Sequence, residues 1–345
     1  MLVSDLDYDL PEDLIAQHPL EERDASRMMI LDRSASSIDD ACFRDFPSFV
    51  NESDVVVINN TRVIPARLFG KREPSGAGVE LFLIRQEMDE LWEVLARPAR
   101  RLVVGTHINF GGHDLHAQVV EVLDEGRRMV RFTCRGSLEA ALEEVGQTPL
   151  PPYIKREKAA LRDDRERYQT IYARNRGAIA APTAGLHFTP AVMDALKSRG
   201  ATVIEITLHV GYGTFQPIRV DNLDEHIVAP EAFEIGDEQA QTLNQARGAQ
   251  RRIIAIGTTT TRALESSIDE TGRFAAGARM AGLTIKPGHK FRAVDAILTN
   301  FHLPQSSLLA LVAAFAGQEL TLSAYRHAVK SRYRFYSYGD CMLII

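Results

Sequence analysis

The sequence predicts an α/β protein: a larger mixed α/β domain with an inserted small antiparallel six-stranded β-barrel. Three observations lead there. From about Gly177 onward apolar, β-branched runs alternate with helical segments, and a similar strand, "SDVVVIN", lies near the N-terminus at Ser53. Between about Ala66 and Cys134 helical signals nearly vanish, and six short strand-like runs follow one another across glycine or charge clusters. Because the α/β pattern flanks that stretch on both sides, the barrel reads as an insertion. Residues 1–62 and 150–345 are expected to form a discontinuous α/β domain, and residues 63–149 the barrel.

Taken in order, "SDVVVIN" is an apolar strand running into "NTRVIPARL". The barrel strands are "ARLFGKR", "GVELFLIRQ", "LWEVLARP", "HINFGG", "LHAQVVEVL" and "RMVRFTC". The charge-dense "KREKAALRDDRERYQ" from Lys155 reads as a solvated helix or a mobile loop. "GAIAA" at Gly177 reads as a strand, followed by a small-residue loop, Pro182 to Leu186, that ends on His187. The helix "PAVMDALKSR" follows, with Thr189 as N-cap, Pro190 at N1 and Gly200 at C′. "ATVIEITLHV" is a β-branched strand leading into the loop "GYGTFQPI". "RRIIAIG" then feeds the helix "TTTTRALESS", and "VDAILTNF" feeds "HLP" and a helix at Ser306. There is no internal repeat and no low-complexity tract.

Composition narrows the function classes. A chain of 345 residues with ordinary apolar and charged fractions can bury a sizeable core. Its formal net charge of −6 argues against a dedicated nucleic-acid binder but leaves room for a local basic face. Cys42, Cys134 and Cys341 are far apart and form no CxxC pair, so neither a disulfide framework nor a zinc site is expected, and a reducing cytoplasm fits. The opening "MLVSDLDYDLPEDL" is acidic and lacks an apolar signal region. The longest apolar run, "SSLLALVAAFAG", is too short to span a bilayer and reads as a buried core helix.

Chemistry is expected where apolar strands end in loops of small or polar residues. These loops are Asn59 to Arg62, Pro182 to His187, His209 to Phe215, Thr258 to Arg262, and Asn300 to Pro304. If the strands are largely parallel, the loops converge on one sheet edge, where open α/β sheets bind ligands, and His187, His209 and His302 become neighbours. There is no P-loop, HExxH or GxSxG motif. "GYGTFQ" offers a GxG after a strand, but it lacks the third glycine and the following helix, so a dinucleotide-dependent oxidoreductase is a poor match. A pocket of glycines, threonines, histidines and an asparagine suits a nucleoside better than a polyphosphate. Arg97, Arg100 and Arg101 cluster in the barrel. Arg326, Lys330, Arg332 and Arg334 lie among Tyr325, Tyr333, Phe335, Tyr336 and Tyr338, which reads either as a base-stacking face or as a basic helix followed by a core strand.

These same segments carry a resemblance. "NNTRVIPARL", "RYQTIYARNRGAIAAPTAGLHFT", "ITLHVGYGTFQPI", "GTTTTRALES", "VDAILTNFHLPQSSLLALVAAFAG" and "YRFYSYGDCMLII" are similar to motifs of the S-adenosylmethionine:tRNA ribosyltransferase-isomerase family of queuosine biosynthesis. The resemblance runs from "YDLPEDLIAQHPLEERDASRMMILDR" to the last residue. It implies transfer and isomerisation of the ribosyl moiety of S-adenosylmethionine onto 7-aminomethyl-7-deazaguanine at the wobble position of a tRNA with a GUN-type anticodon. Epoxyqueuosine-tRNA, adenine and methionine would be the products. It implies no metal and no redox cofactor, S-adenosylmethionine being consumed as substrate. No membrane association is expected, and the chain is read as a cytoplasmic monomer.

Such a reaction needs a base at C5′, acidified by the sulfonium, and protons for departing adenine and from the attacking amine. Histidine suits these steps. His187, His209 and His302 are the candidates for proton transfer, with Glu225 and His226 as further candidates. Thr183, Ala184, Gly185, Gly211, Gly213, Thr214, Phe215, Thr258, Thr259, Arg262 and Asn300 are the candidates for holding S-adenosylmethionine. Arg62, Arg97, Arg100, Arg101, Arg332 and Arg334 are the candidates for gripping tRNA. The sequence departs from the family's usual E-H-x-M-H-x-E in reading "EHIVAPE": Glu225, His226 and Glu231 are kept and Ala229 replaces the second histidine. Tyr212 stands where alanine is common, and "GTTTTR" replaces the commoner "GTTSVR". A role resting on that histidine does not transfer, which also leaves a non-catalytic tRNA-binding homologue as an alternative.

Overall fold

In the computed structural model all residues are described except 157–160 and 216–217, with the backbone alone described at 113, 161–163, 214 and 215. Seventeen strands are present among the described residues. Before the barrel come β1 (Arg27–Asp32), β2 (Ser37–Cys42), β3 (Val55–Asn59) and β4 (Thr61–Val63). The barrel strands are β5 (Arg67–Arg72), β6 (Ala77–Met88), β7 (Leu91–Arg97), β8 (His107–Asn109), β9 (His116–Val122) and β10 (Arg127–Thr133). After it come β11 (Asn175–Ala178), β12 (Thr202–Leu208), β13 (Glu231–Ile235), β14 (Ile253–Ile256), β15 (Gly277–Ala281), β16 (Ala296–Asn300) and β17 (Cys341–Ile344). The α-helices are α1 (Leu138–Val145), α2 (Leu161–Arg167), α3 (Pro190–Ser198), α4 (Asp237–Gly248), α5 (Thr258–Ser267), α6 (Ser307–Ala316) and α7 (Gln318–Lys330).

Nine strands form one sheet in the order β15-β13-β12-β3-β14-β16-β17-β1-β2. Its centre, β12-β3-β14-β16, is parallel throughout. These strands are apolar on both faces because both are covered. Val55 and Val57 face the core built with α4 to α7, whereas Val56 and Ile58 face the core built with α3 and the turn at Phe43 and Phe46. Flanking strands are mixed: β17 runs antiparallel to β16, and β13 antiparallel to β12. The parallel core is what sends the ends of β3, β12, β14 and β16 to one edge.

All six barrel runs became strands and close as β10-β7-β6-β5-β8-β9, antiparallel at every pairing. The interior is a separate apolar cluster that includes Leu68, Leu81, Val94, Ile108, Val119 and Phe132. Inward residues alternate along each strand with outward polar ones, as closure requires. The capping of α3 is as its sequence specifies: Thr189 Oγ1 accepts from the Val192 amide, Pro190 opens the helix, and Gly200 follows at φ +82°.

One expectation is corrected. "GAIAA" is not a strand of the main sheet. Only Asn175–Ala178 is extended, and it pairs with β4 in a separate two-stranded sheet, because β12 already occupies the edge of β3. Its small residues serve as the floor of a cleft instead. Of the two readings of the aromatic C-terminus, the core one holds for most of its rings: Phe301, Tyr325, Tyr333 and Phe335 pack in one buried cluster, Tyr325 edge to face on Phe301 and the other two tilted against it. The charge-dense stretch from Lys155 falls partly outside the described residues. Among the described residues no single helix is long and apolar enough to cross a membrane.

Candidate active site

The carboxyl ends of the parallel strands open on a cleft of about 240 Å³. The end of β16 supplies Thr299, Asn300 and His302. Gly257, Thr258 and Thr259 enter from the β14–α5 junction. Ala180 to Ala184 form one wall, and Tyr153, Tyr168, Tyr336 and Ser337 another. Gly257 sits at φ +94°, the left-handed region open to glycine, which lets the chain turn from β14 straight into α5. Within α5, Thr260 and Thr261 turn their hydroxyls back to the carbonyls of Ile256 and Gly257. Thr258 and Thr259 are left lining the cleft beside the amides of the helix start, which carry partial positive charge. Ser306 caps α6 from the same cleft by accepting from the Leu309 amide.

Asn300 is only 3% exposed. Its amide nitrogen faces His187 Nε2 at 3.2 Å and the carbonyls of Tyr336 at 3.1 Å and Asp340 at 3.4 Å. Its amide oxygen is buried with no hydrogen-bond partner among the described residues. His187 is 4% exposed and stacks obliquely against Phe43, centroids 5.2 Å apart. Its Nδ1 lies 2.9 Å from Ser26 Oγ, and burial, with a smaller push from the Arg23 cation, holds its pKa down to about 4. His302 lines the cleft, is bonded through Nε2 to Thr299 Oγ1 at 2.8 Å, and burial takes its pKa down to about 3. Both rings are therefore neutral near pH 7, able to accept or relay a proton but not to sit there charged.

Other candidates are placed elsewhere. His209 packs its ring over Gly177 and bonds Thr61 Oγ1 at 2.8 Å, outside the cleft lining. Glu225 is exposed and His226 half-buried on a surface turn, and neither lines the cleft. Gly185 owes its size to packing: a Cβ there would lie 2.3 Å from Tyr172 Oη. Gly211 and Gly213 also fall outside the lining, and a Cβ on Gly213 would meet Ala229 Cβ at 2.7 Å. The GxG thus packs against "EHIVAPE" and opens only a short 3-10 turn, Tyr212–Phe215, with none of the helix that a dinucleotide site needs. The side chains of Thr214 and Phe215 lie outside the described residues. Arg262 is buried, paired with Glu231 and bonded to the carbonyls of Leu283, Ala229 and Ala281, so its donors are occupied within the protein. It backs a small apolar annex of the cleft lined by Val228, Ile285, Leu308 and Leu311.

The whole chain matches one family model, described as queuosine biosynthesis protein, over residues 3–344. The chain belongs to the queuosine biosynthesis protein family. Curated relatives named S-adenosylmethionine:tRNA ribosyltransferase-isomerase include that of Syntrophotalea carbinolica, 49% identical, and that of Heliobacterium modesticaldum, 48% identical, each over the full length of both chains. A crystal structure of an S-adenosylmethionine tRNA ribosyltransferase from Thermotoga maritima is similar at 35% identity and TM-score 0.55, covering 99% of this chain and 100% of that one. Set in this family, the cleft contains a tyrosine, Tyr153, that the sequence motifs do not single out. Tyr153 lies in "PPYIK", which carries no recognisable signal. Tyr336 and Ser337 stand in a segment whose composition suggests RNA stacking, although Tyr336 at φ +72° marks a bulky residue held in an unfavourable backbone region.

The arginine candidates separate into two groups. Arg62, Arg97, Arg100 and Arg101 are exposed and have no ion-pair partner among the described residues. Arg332 is exposed but pairs with Asp13 at 2.7 Å. Arg334 is half-buried, bonds the His18 carbonyl, and has Nη1 buried without a partner among the described residues.

Proposed function

We propose that this chain transfers and isomerises the ribosyl part of S-adenosylmethionine onto 7-aminomethyl-7-deazaguanine in tRNA, releasing adenine and methionine. The observation that carries this reading is full-length similarity, at 44–49% identity, to three curated relatives named for that activity. The cleft supports it chemically. The amides of Thr258 and Thr259 at the start of α5 suit a carboxylate such as that of the methionyl group. Ala180 to Ala184 and the tyrosine wall suit a flat ring. His302 lines the cleft as an uncharged imidazole, the form with a free lone pair, because burial disfavours its protonated form. The exposed barrel arginines suit the RNA backbone. S-adenosylmethionine is consumed as substrate, and no further cofactor is assigned. We place the enzyme in the cytoplasm as a monomer, acting on tRNAs with GUN anticodons, with residues 1–62 and 150–345 as the catalytic unit and 63–149 as an RNA-gripping insertion.

The test is adenine release from S-adenosylmethionine with an anticodon stem-loop carrying 7-aminomethyl-7-deazaguanine, against the same stem-loop carrying guanine. Adenine and methionine are expected in equal amounts and only with the modified RNA. Binding of both substrates without release would instead point to a non-catalytic tRNA-binding homologue or to an essential role for the histidine that Ala229 replaces.

A further inference from the structure

Arg23, Arg167 and Arg334 gather on one short segment of the chain, and none has an ion-pair partner among the described residues. All three are half-buried. Arg167 donates to the carbonyls of Leu20 and Glu21, the latter at 3.2 Å, and Arg334 donates to that of His18. These carbonyls belong to one four-residue run, so the two guanidinium groups are held on the same stretch. Arg23 follows in that stretch and donates to the carbonyls of Leu186 at 3.0 Å and Glu166 at 3.2 Å. Glu21 and Glu166 thus contribute main-chain oxygens and not their carboxylates. Asp340 acts on Arg334 through space, but its carboxylate accepts from the amides of Arg27 and Arg334. Burial lowers the pKa of Arg23, and the neighbouring Arg167 cation lowers it further. Cations withdrawn from water without a counter-charge are costly, and an anion joining them offsets that cost. The groups are not sealed off. On each, Nε makes no hydrogen bond among the described residues and is open to solvent.

The place of this cluster beside the cleft identifies the anion. Arg23 and Arg167 line a small concavity together with Leu20, His187, Ser337 and Gly339. Ser337 also lines the cleft, as does Tyr336 before it, so the run from Tyr336 to Gly339 borders both. A nucleotide has this layout, with a flat base and a phosphate one ribose away. S-adenosylmethionine does not suit the cluster, because its single carboxylate is accompanied by an ammonium and a sulfonium. We infer that Arg23, Arg167 and Arg334 hold a backbone phosphate of the tRNA next to the nucleotide presented at the cleft, and so act as positioning residues for the base that is modified. The inference rests on the proposed activity. It differs from the role given to the barrel arginines: main-chain bonds fix these guanidinium groups, so they favour one phosphate position rather than the polyanion as a whole.

The test is a phosphate scan of the anticodon stem-loop carrying 7-aminomethyl-7-deazaguanine. Each loop phosphate is replaced in turn by an uncharged methylphosphonate, and binding to the full chain is measured by fluorescence anisotropy. In the wild-type protein, neutralising one phosphate next to the modified nucleotide is expected to weaken binding by roughly tenfold or more, and the others by less. This arm needs no variant. Arg23→Gln, Arg167→Gln and Arg334→Gln should each weaken the all-phosphate stem-loop. In each, the same methylphosphonate should then matter by no more than about threefold, because its partner is already gone. S-adenosylhomocysteine, the analogue without the sulfonium, should bind these variants within about twofold of the wild-type protein. Arginines that only fasten the N-terminal segment would leave the position-specific effect undiminished in the variants. That result, a flat wild-type scan, or inorganic phosphate that occupies the cluster without competing with the stem-loop would each overturn the inference, while adenine release would leave the proposed activity standing. Failure of the modified stem-loop to bind the wild-type protein would overturn both.

Discussion

The cleft and the outer face of the barrel handle polar groups in opposite ways. In and behind the cleft wall, His187, Asn300, Thr299 and His302 are withdrawn from water and spend their hydrogen bonds within the protein. On the barrel, Arg97, Arg100 and Arg101 stand in solvent with no ion pair among the described residues. Buried polar groups have fixed orientations and can discriminate between small molecules. Exposed, long cations are mobile and attract a polyanion without reading its details. The proposed S-adenosylmethionine site and the proposed RNA contact thus lie in regions of opposite polar character, within a chain whose net charge is −6.

The largest effect expected to separate the two regions is acid sensitivity. His187 and His302 have folded-state pKa values of about 4 and about 3, below the ordinary 6.5. Between these limits the unfolded chain binds more protons, so stability rises with pH there. The contribution is complete above about 6.5 and is lost as pH falls toward 4 and 3, at up to about 1.4 kcal/mol per pH unit for each ring. Urea unfolding at pH 7 and pH 5 should show a loss of a few kcal/mol, and replacing His302 by phenylalanine should flatten that dependence.

Blocking the cleft comes next. Thr183→Trp projects an indole into it and should weaken S-adenosylhomocysteine binding on the order of a hundredfold, with tRNA binding and the unfolding midpoint nearly unchanged. If tRNA binding fell equally, the two regions would not be separable.

Gly185→Ala tests whether this small residue serves a ligand or the core. Its new Cβ would overlap Tyr172 Oη and approach Thr170 Cγ2 at 2.8 Å, so a destabilisation of about 1–3 kcal/mol is expected. Tyr172→Phe should relieve part of it, because Tyr172 Oη is buried without a partner among the described residues and its removal leaves nothing unsatisfied. A stable Gly185→Ala protein with impaired substrate binding would place the backbone there against the ligand instead.

Smaller again are the barrel charges. Alanine at Arg97, Arg100 or Arg101 should weaken tRNA binding several-fold at low salt and lower the slope of log affinity against log salt by roughly one for each phosphate that is no longer neutralised. S-adenosylhomocysteine affinity should not change. Smallest are Glu225→Gln and His226→Ala, both outside the cleft lining, for which adenine release should stay within about twofold. A loss beyond tenfold in either would bring that turn into the site.

Local signals carried most of the architecture. The six barrel strands, the Thr189 cap and the four apolar strands of the sheet centre were legible because alternation, capping and β-branching act within a few residues. "GAIAA" misled because a run of small apolar residues is compatible with a strand and with a cleft floor, and which one it becomes depends on whether a sheet edge is free. In the site, Thr258, Thr259, Asn300 and His302 followed from their place at strand ends. Gly185 packs against Tyr172 instead and Arg262 spends its donors within the protein behind a cleft annex, since position along a chain does not say which way a side chain points.

The sequence alone determined that this chain is an α/β protein interrupted by a barrel, and its motifs determined the family, because both are properties of residue order. Tertiary structure decided that His187 faces Ser26 and Asn300 rather than the cleft, that the C-terminal tyrosines other than Tyr336 are core, and that the Asn300 amide oxygen is left without a partner among the described residues. Those outcomes depend on groups more than a hundred residues apart being brought within hydrogen-bond reach, and no local pattern encodes that distance.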